Sequence, residues 1–309
     1  MPTRTLESSP QILPLYARAA APMIPGLSLL PFVPGGGKEI PELELRLAGV
    51  KAKPEVVSAY AKVCGFPLRD SLPVTYPHVL AFPLHMAVMA DGSFPFGAVG
   101  LVHLENRIAQ HRPIGVAEQI DLVVRPTPLQ PHRSGRTFSL VTEAWVGEEL
   151  AWESVSTMLR RGGGDKEAGG EREALGVPED EFVASAEWRL GGDLGRRYAS
   201  VSGDRNPIHM HSLTAKPLGF PAAIAHGMWS KARALAALDS RTPDAFETEV
   251  RFRKPILLPA KVEFGSRDDA GGEIDFSVRD AKRHTPHLDG RIKPLESKPK
   301  AKKTGRNTK

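Results

Sequence analysis

Residues 198–215 read YASVSGDRNPIHMHSLTA and concentrate polar, chemically active side chains on one short loop. Gly203 and Pro207 mark this loop, which follows a helix predicted over about residues 193–200. Pro207 fixes its own φ at about −65° and restricts Asn206, the residue before it, to extended geometry. The loop therefore has little conformational freedom and is predicted to hold its polar side chains in fixed positions.

Two of these side chains suit acid–base chemistry. Asp204 and His209 lie five residues apart on the loop, close enough to converge on one water or one substrate atom. The imidazole titrates near neutrality and the carboxylate accepts protons, so the pair is suited to moving protons in a reaction. The same residue types also form ordinary turns and caps, and on composition alone the structural role stays open.

The order of residues in this stretch resembles the signature of the R-specific enoyl-CoA hydratases, the MaoC-like dehydratase family. The matching positions are Tyr198, Ser202, Gly203, Asp204, Asn206, Pro207, Ile208, His209 and Ala215. A downstream element, IAHGM at 224–228, is similar to a second element of the same family. The resemblance is close over residues 198–238 and looser to about residue 292. The N-terminal half resembles the degenerate first half of two-repeat members and has no D-x-N-P-x-H motif of its own.

The resemblance implies an α+β fold, a double hot-dog in which each of two repeats wraps an antiparallel sheet around a central helix. It also implies a hydro-lyase of fatty acyl metabolism, a (3R)-hydroxyacyl-thioester dehydratase or R-specific trans-2-enoyl-CoA hydratase that adds water reversibly across the 2,3 double bond. Two alternatives stay open, a hot-dog acyl-CoA thioesterase and a non-catalytic acyl-thioester-binding protein.

By the same resemblance, Asp204 and His209 are the expected catalytic residues. Gly227 is expected to bind the thioester carbonyl through its backbone N–H, since an amide at a helix N-terminus is an unpaired donor at the positive end of the helix dipole. Asn206 and His226 are the other expected substrate-binding residues. Asn206 either holds the loop or touches the substrate.

No metal or redox cofactor is expected. The pair His209 and His211, with the distant His226, lacks the carboxylate or cysteine company typical of zinc sites. The expected partner is an acyl thioester of coenzyme A or of an acyl-carrier protein, with the carrier as part of the substrate. A homodimer of double hot-dogs is a further expectation, whereas acyl chain length and reaction direction are not determined by the sequence.

The rest of the chain shows two blocks of similar design. Alanine-rich, helix-like stretches at 79–90 and 222–238 each precede runs with strand-like alternation of apolar and polar residues. Those runs are clearest at 119–124, 138–140, 249–253, 261–264 and 273–279. The resulting domain prediction is an irregular N-terminal arm (1–37), a degenerate hot-dog repeat (38–160), a linker (161–180), a catalytic repeat (181–292) and a basic disordered tail (293–309).

The two blocks can be aligned by their aromatic–proline pairs. Placing Tyr76-Pro77 against Phe220-Pro221 puts Phe82-Pro83 opposite His226-Gly227. Because proline has no N–H to donate, this register predicts that the first repeat has lost the oxyanion donor. The first repeat is then a non-catalytic partner that completes the core and shapes the acyl tunnel.

Composition and charge exclude several other classes. The single cysteine, Cys64, excludes an intramolecular disulfide framework and fits a reducing, cytoplasmic setting. Residues 282–309 contain ten basic and two acidic residues, so this segment carries +8 and the remainder of the chain −3. No nucleic-acid partner is expected of such a body, although the tail could contact an acidic partner. The uncharged residues 19–37 contain four prolines, which argues against a transmembrane segment.

Overall fold

The structure is a computed structural model that describes residues 2–21, 35, 37–98, 100–168 and 173–296. These residues form twelve β-strands and seven α-helices. The strands are β1 (Thr3–Leu6), β2 (Glu44–Lys51), β3 (Val102–Gln110), β4 (Gln119–Pro126), β5 (Gln130–His132), β6 (Gly135–Val146), β7 (Glu149–Arg161), β8 (Ala186–Leu190), β9 (Phe246–Phe252), β10 (Ala260–Asp268), β11 (Ile274–Asp280) and β12 (Pro286–Pro294). The helices are α1 (Ile12–Ala20), α2 (Pro54–Cys64), α3 (Tyr76–Met89), α4 (Leu194–Ser202), α5 (Pro207–Met210), α6 (Ser212–Ala215) and α7 (Gly227–Leu238).

All the strands belong to one sheet, and its order shows the repeat. The order is β1-β2-β4-β6-β7-β3-β9-β12-β11-β10-β8, with β5 paired to β6. When β1 and the short β5 are set aside, each half has five strands, and from the outer edge inwards their order is first, third, fourth, fifth and second. The halves meet where their second strands, β3 and β9, pair antiparallel. The predicted double hot-dog is therefore confirmed.

Each half wraps its sheet around one central helix. Helix α3 packs on β2, β4 and β6, and α7 packs on β11. Both helices are buried along most of their length, as expected of core helices with little amphipathic pattern. The alternating runs predicted as strands at 119–124, 138–140, 249–253, 261–264 and 273–279 lie in β4, β6, β9, β10 and β11.

A buried lysine ties the two halves together. Lys231, in α7, is fully buried. Its Nζ donates to the carbonyl oxygen and Oδ1 of Asn106 in β3, at 2.9 and 2.7 Å, and to the carbonyl oxygen of Thr248 in β9, at 3.1 Å. Burial lowers the pKa of Lys231 well below its ordinary value. These three hydrogen bonds fix the second central helix against the junction of the halves.

The predicted register of the two repeats is wrong. Pro83 lies inside α3, seven residues after the helix begins at Tyr76, rather than at a helix start like Gly227. The helix begins earlier because Pro77 occupies its first turn, where a fixed φ favours helix initiation and no N–H is needed. Tertiary burial of α3 then outweighs the cost of a second proline in its interior. Phe82 consequently does not take the place of His226 in the first repeat. Its side chain instead lines the cavity described in the next section.

The arm and the tail differ in part from their predictions. An irregular arm over residues 1–37 is wrong for its first part, because β1 pairs parallel to β2 and α1 packs on α3. Residues 22–34 and 36 of that arm lie outside the described residues. Strand β12 continues through Pro294, two residues into the predicted tail, and 297–309 lie outside the described residues.

Two further features concern the whole described chain. Cys64 is free and buried. Among the described helices, none combines the length and the apolar character that crossing a bilayer requires.

Candidate active site

A left-handed glycine ends helix α4 and starts the loop that carries the site. Gly203 caps the helix with φ 75°, and its N–H donates to the carbonyl oxygen of Ala199. A Cβ built at Gly203 would lie 2.6 Å from Cδ1 of Ile12 in α1. The left-handed backbone therefore favours glycine here, and any other residue would also push against the end of the Ile12 side chain.

The next turn positions His209. Asn206 has φ −54° and ψ 127°, the extended geometry predicted for a residue before proline, and Pro207 then begins the short helix α5. Oδ1 of Asn206 accepts from the N–H of Ile208 at 3.4 Å. Asn206 also lines the cavity described below, so both roles considered for it are compatible with its position.

His209 in α5 is held in one tautomer. Its Nδ1 lies 2.8 Å from the carbonyl oxygen of Ile224, which can only accept, so Nδ1 carries the hydrogen and Nε2 keeps a lone pair. The N–H of Ile224 donates in turn to the carbonyl oxygen of Ile208 at 3.0 Å. Burial lowers the pKa of His209 below its ordinary value, against the raising effect of Asp204. The imidazole is therefore neutral at neutral pH and available as a proton acceptor.

Asp204 is partly exposed, and one of its two carboxylate oxygens accepts hydrogen bonds. Its Oδ1 accepts from the hydroxyl of Tyr16 in α1 at 2.7 Å and from the N–H of Asn206 at 3.1 Å. Burial raises the pKa of Asp204, but the adjacent His226 and His209 and these two hydrogen bonds lower it by more. The carboxyl group therefore stays ionised at neutral pH. Its other oxygen, Oδ2, lies 3.8 Å from Nε2 of His226.

His226 directly precedes α7 and contacts both Asp204 and His209. Its ring stacks on that of His209 with centroids 3.7 Å apart, and its Nε2 donates to the carbonyl oxygen of Asp204 at 3.0 Å. Burial and the neighbouring His209 lower the pKa of His226 to about 3. His226 is therefore neutral, and these contacts give it a supporting position beside the pair.

The five predicted site residues come together at one cavity of about 340 Å³, whose lining includes Asp204, Asn206, His209, His226 and Gly227. A carboxylate oxygen of Asp204 and ring nitrogens of His209 and His226 lie within 4.8 Å of one another. A carboxylate oxygen and a ring nitrogen at that separation are close enough to bind one water molecule between them. Gly227 is the first residue of α7, so its N–H has no carbonyl one turn earlier in the helix.

The same three side chains form a cluster with the residue types and spacing of a metal site. One nitrogen of His209 and one of His226 are already bonded to backbone carbonyl oxygens, which leaves each ring a single further nitrogen. The expectation that no metal is needed stays a prediction.

The N-terminal half supplies the opposite wall of the cavity. His78, Phe82, His85 and Met89 follow one another at helical spacing along one face of α3, and all four line the cavity. His103, at the start of β3, lines it as well and packs on Phe252 with ring centroids 4.9 Å apart. These histidines could not be identified from the sequence, because no local motif marks them and only the pairing of the two halves brings them to the cavity.

These three histidines are neutral. Burial is the main cause in each case: it lowers the pKa of His78 to about 4, that of His103 to about 3, and that of His85 well below its ordinary value. Nε2 of His85 is hydrogen-bonded to the hydroxyl of Thr142 at 2.7 Å. These histidines thus add no charge to the wall at neutral pH.

Basic side chains lie at the exposed end of the same cavity. Arg161, Arg253 and Lys254 are exposed and line it together with the half-buried His287. Arg253 is bonded to Asp289 through its Nε at 2.7 Å. This rim places positive charge at the exposed side of the cavity, and the ionised Asp204 places a negative charge inside it.

The comparisons with known proteins agree with this architecture. Residues 176–275 match the family model of the MaoC like domain. The chain is 37% identical over 271 residues to the 3-hydroxyacyl-thioester dehydratase X of Mycobacterium tuberculosis, covering 86% of this chain and 94% of that protein. A crystal structure of HtdX from the same organism superposes with a TM-score of 0.72 at 36% identity, covering 82% of this chain and all of that one.

More distant structures share the fold. A MaoC-like dehydratase from Phytophthora capsici has a TM-score of 0.70 at 19% identity, over 83% of this chain and 96% of that one. A conserved hypothetical protein of M. tuberculosis with a double hot-dog fold has a TM-score of 0.51 at 15% identity, over 84% of this chain and 96% of that one. The relative that is 37% identical matches this chain over nearly the whole of its own length, and a MaoC like domain model matches the second half of the chain. The chain therefore belongs to the MaoC-like dehydratase family.

Proposed function

We propose that this protein is a hydro-lyase that interconverts a trans-2-enoyl thioester and the corresponding (R)-3-hydroxyacyl thioester by adding or removing water. The observation that carries the proposal is the convergence of Asp204 and His209 on the cavity that also contains Gly227 at the start of α7. The M. tuberculosis relative is named for a dehydratase of 3-hydroxyacyl thioesters, which is this chemistry.

The electronic demands of hydration match the three groups. A water held between Asp204 and Nε2 of His209 gives one proton to this pair while its oxygen bonds to the β-carbon. The electrons of the double bond move towards the thioester oxygen, where the N–H of Gly227 meets the developing negative charge. The pair then returns a proton to the α-carbon, so that one water is added overall. No redox cofactor takes part.

The N-terminal half is proposed to hold the acyl chain and the basic rim to hold the carrier. The face of α3 that includes Phe82 and Met89 provides a long uncharged wall, and Arg253 and Lys254 suit the phosphate of a phosphopantetheine arm. Both coenzyme A and acyl-carrier protein present that phosphate. The free Cys64 supports a reducing, cytoplasmic setting, and the homodimer of double hot-dogs stays a prediction.

The function is tested by incubating the protein with crotonyl-CoA and dodecenoyl-CoA and following three signals. We expect the enoyl absorbance to fall, no free thiol to be released, and chiral chromatography to give the (R)-3-hydroxyacyl product. Release of thiol would instead identify the thioesterase alternative. Binding of the thioester without any loss of enoyl absorbance would identify a non-catalytic binding protein.

Filling the far end of the channel is expected to select against long substrates. Met89 lies eleven residues along α3 from His78, about 16 Å at the rise of an α-helix. We expect Met89→Trp to lower kcat/KM for dodecenoyl-CoA about tenfold, because overpacking displaces the end of the chain, and to leave that for crotonyl-CoA unchanged. The control is Met89→Leu, which keeps the side-chain volume. Equal losses on both substrates would show that the chain lies elsewhere.

A further inference from the structure

The N-terminal helix α1 reaches the catalytic loop through one tyrosine. The hydroxyl of Tyr16 donates to Oδ1 of Asp204 at 2.7 Å and accepts from the N–H of Arg205 at 2.8 Å. Both the donor and the acceptor capacity of the hydroxyl are therefore used on the same loop. Ile12, one turn earlier in α1, packs against Gly203. The arm thus contacts the three consecutive residues Gly203, Asp204 and Arg205.

We propose that Tyr16 is a positioning residue for the reaction, which orients the carboxylate of Asp204 and keeps it ionised. This inference rests on the proposed function for the identity of the reaction, and it adds a residue outside the segment matched by the MaoC like domain model. Tyr16 is not among the residues that line the cavity, so it acts through Asp204 and does not touch the substrate.

The two hydrogen bonds distinguish the two oxygens of the carboxylate. Oδ1 accepts from Tyr16 and from the N–H of Asn206, which fixes the plane of the group. Oδ2 is left on the side of His226, 3.8 Å from its Nε2. The oxygen that meets the water is therefore Oδ2, and Tyr16 determines which oxygen that is.

The phenol is suited to this role because it does not ionise. Burial raises the pKa of Tyr16 far above its ordinary value, and the adjacent Asp204 raises it further. The hydroxyl is thus a donor to the carboxylate at every working pH. A donor stabilises the ionised form of an acid, so its loss raises the pKa of Asp204. The other titratable groups facing Asp204 are His209 from α5, His226 before α7, Tyr198 from α4, and His78 and His103 from the N-terminal half.

The test compares wild type with Tyr16→Phe, which keeps the ring and removes the hydroxyl. We expect kcat for crotonyl-CoA to fall about tenfold, as for loss of a hydrogen bond to a charged group, with KM unchanged. We also expect the acid limb of the kcat profile to move to higher pH, because Asp204 then takes up a proton sooner as the pH falls. Carbon-13 NMR titration of the Asp204 carboxyl, assigned with Asp204→Asn, gives the same shift without any turnover.

The matched control is Ile12→Val, which trims the packing of α1 on Gly203 and leaves the hydrogen bonds intact. We expect it to retain the wild-type kcat, pH profile and Asp204 titration. The proposal is overturned if Tyr16→Phe leaves the Asp204 titration where it is in wild type, or if Ile12→Val shifts it equally. A wild type that titrates as expected but hydrates no enoyl thioester would refute the proposed function and leave the contact with Tyr16 standing.

Discussion

Asp204→Asn is expected to abolish hydration while leaving thioester binding intact. The substitution is isosteric, and the remaining amide oxygen can still accept from Tyr16 and from the N–H of Asn206, so the loop keeps its geometry. What disappears is the anionic acceptor for the water proton. Loss of such a group lowers kcat by roughly a thousandfold. The measurement is kcat on crotonyl-CoA, together with calorimetric binding of a saturated acyl-CoA.

The control for charge is Asp193→Asn. Asp193 precedes α4 in the same half, is exposed and is not among the residues that line the cavity, so its replacement makes the same change in net charge without altering the lining. We expect its kcat to match wild type. If Asp204→Asn retained more than a tenth of the activity, the proton acceptor would be another group, and His209 with its free Nε2 would be the first to examine.

The site residues on one continuous loop could be predicted because their geometry is local. Gly203 and Pro207 fix the backbone around Asp204 and His209, and the structure gives Asn206 the extended conformation that its proline neighbour dictates. The sequence could not show Tyr16, which is 188 positions from Asp204 and meets it only because the arm folds as a helix on the catalytic loop. That contact depends on tertiary packing, which leaves no periodic signal.

The fold shows the same division between local and long-range information. Alternation identified β9, β10 and β11. In β9 buried residues alternate with half-buried ones, whereas β11 is buried on both faces and carries the polar residues Asp275, Ser277 and Arg279 on its second buried face. The register predicted from the two aromatic–proline pairs is wrong because the two pairs lie at different positions relative to their helices. Pro77 starts α3, whereas Pro221 lies six residues before α7. Only the strand order, repeated on both sides of the β3–β9 junction, gives the symmetry of the two halves.

Gly227→Pro is expected to remove the oxyanion donor without breaking the helix that carries it. Gly227 is the first residue of α7, a position at which proline is favoured and at which its missing N–H costs no helix hydrogen bond. The preceding His226 already has φ −67° and ψ 137°, the conformation that a following proline demands. The backbone conformation thus already suits proline, and the substitution replaces the donated hydrogen by Cδ of the proline ring.

Both substitutions at this position must be compared with each other, because any side chain adds a Cβ. That atom would lie 3.0 Å from Cε1 of Phe252, a contact tighter than ordinary packing, so Phe252 must shift slightly in either variant. Gly227→Ala makes this same contact but keeps the N–H. We expect kcat of Gly227→Pro to be roughly a hundredfold below that of Gly227→Ala, the usual loss for one oxyanion donor. Equal rates for the two variants would mean that the thioester oxygen is stabilised by some other group, and the amide of Gly227 would then serve only to begin the helix.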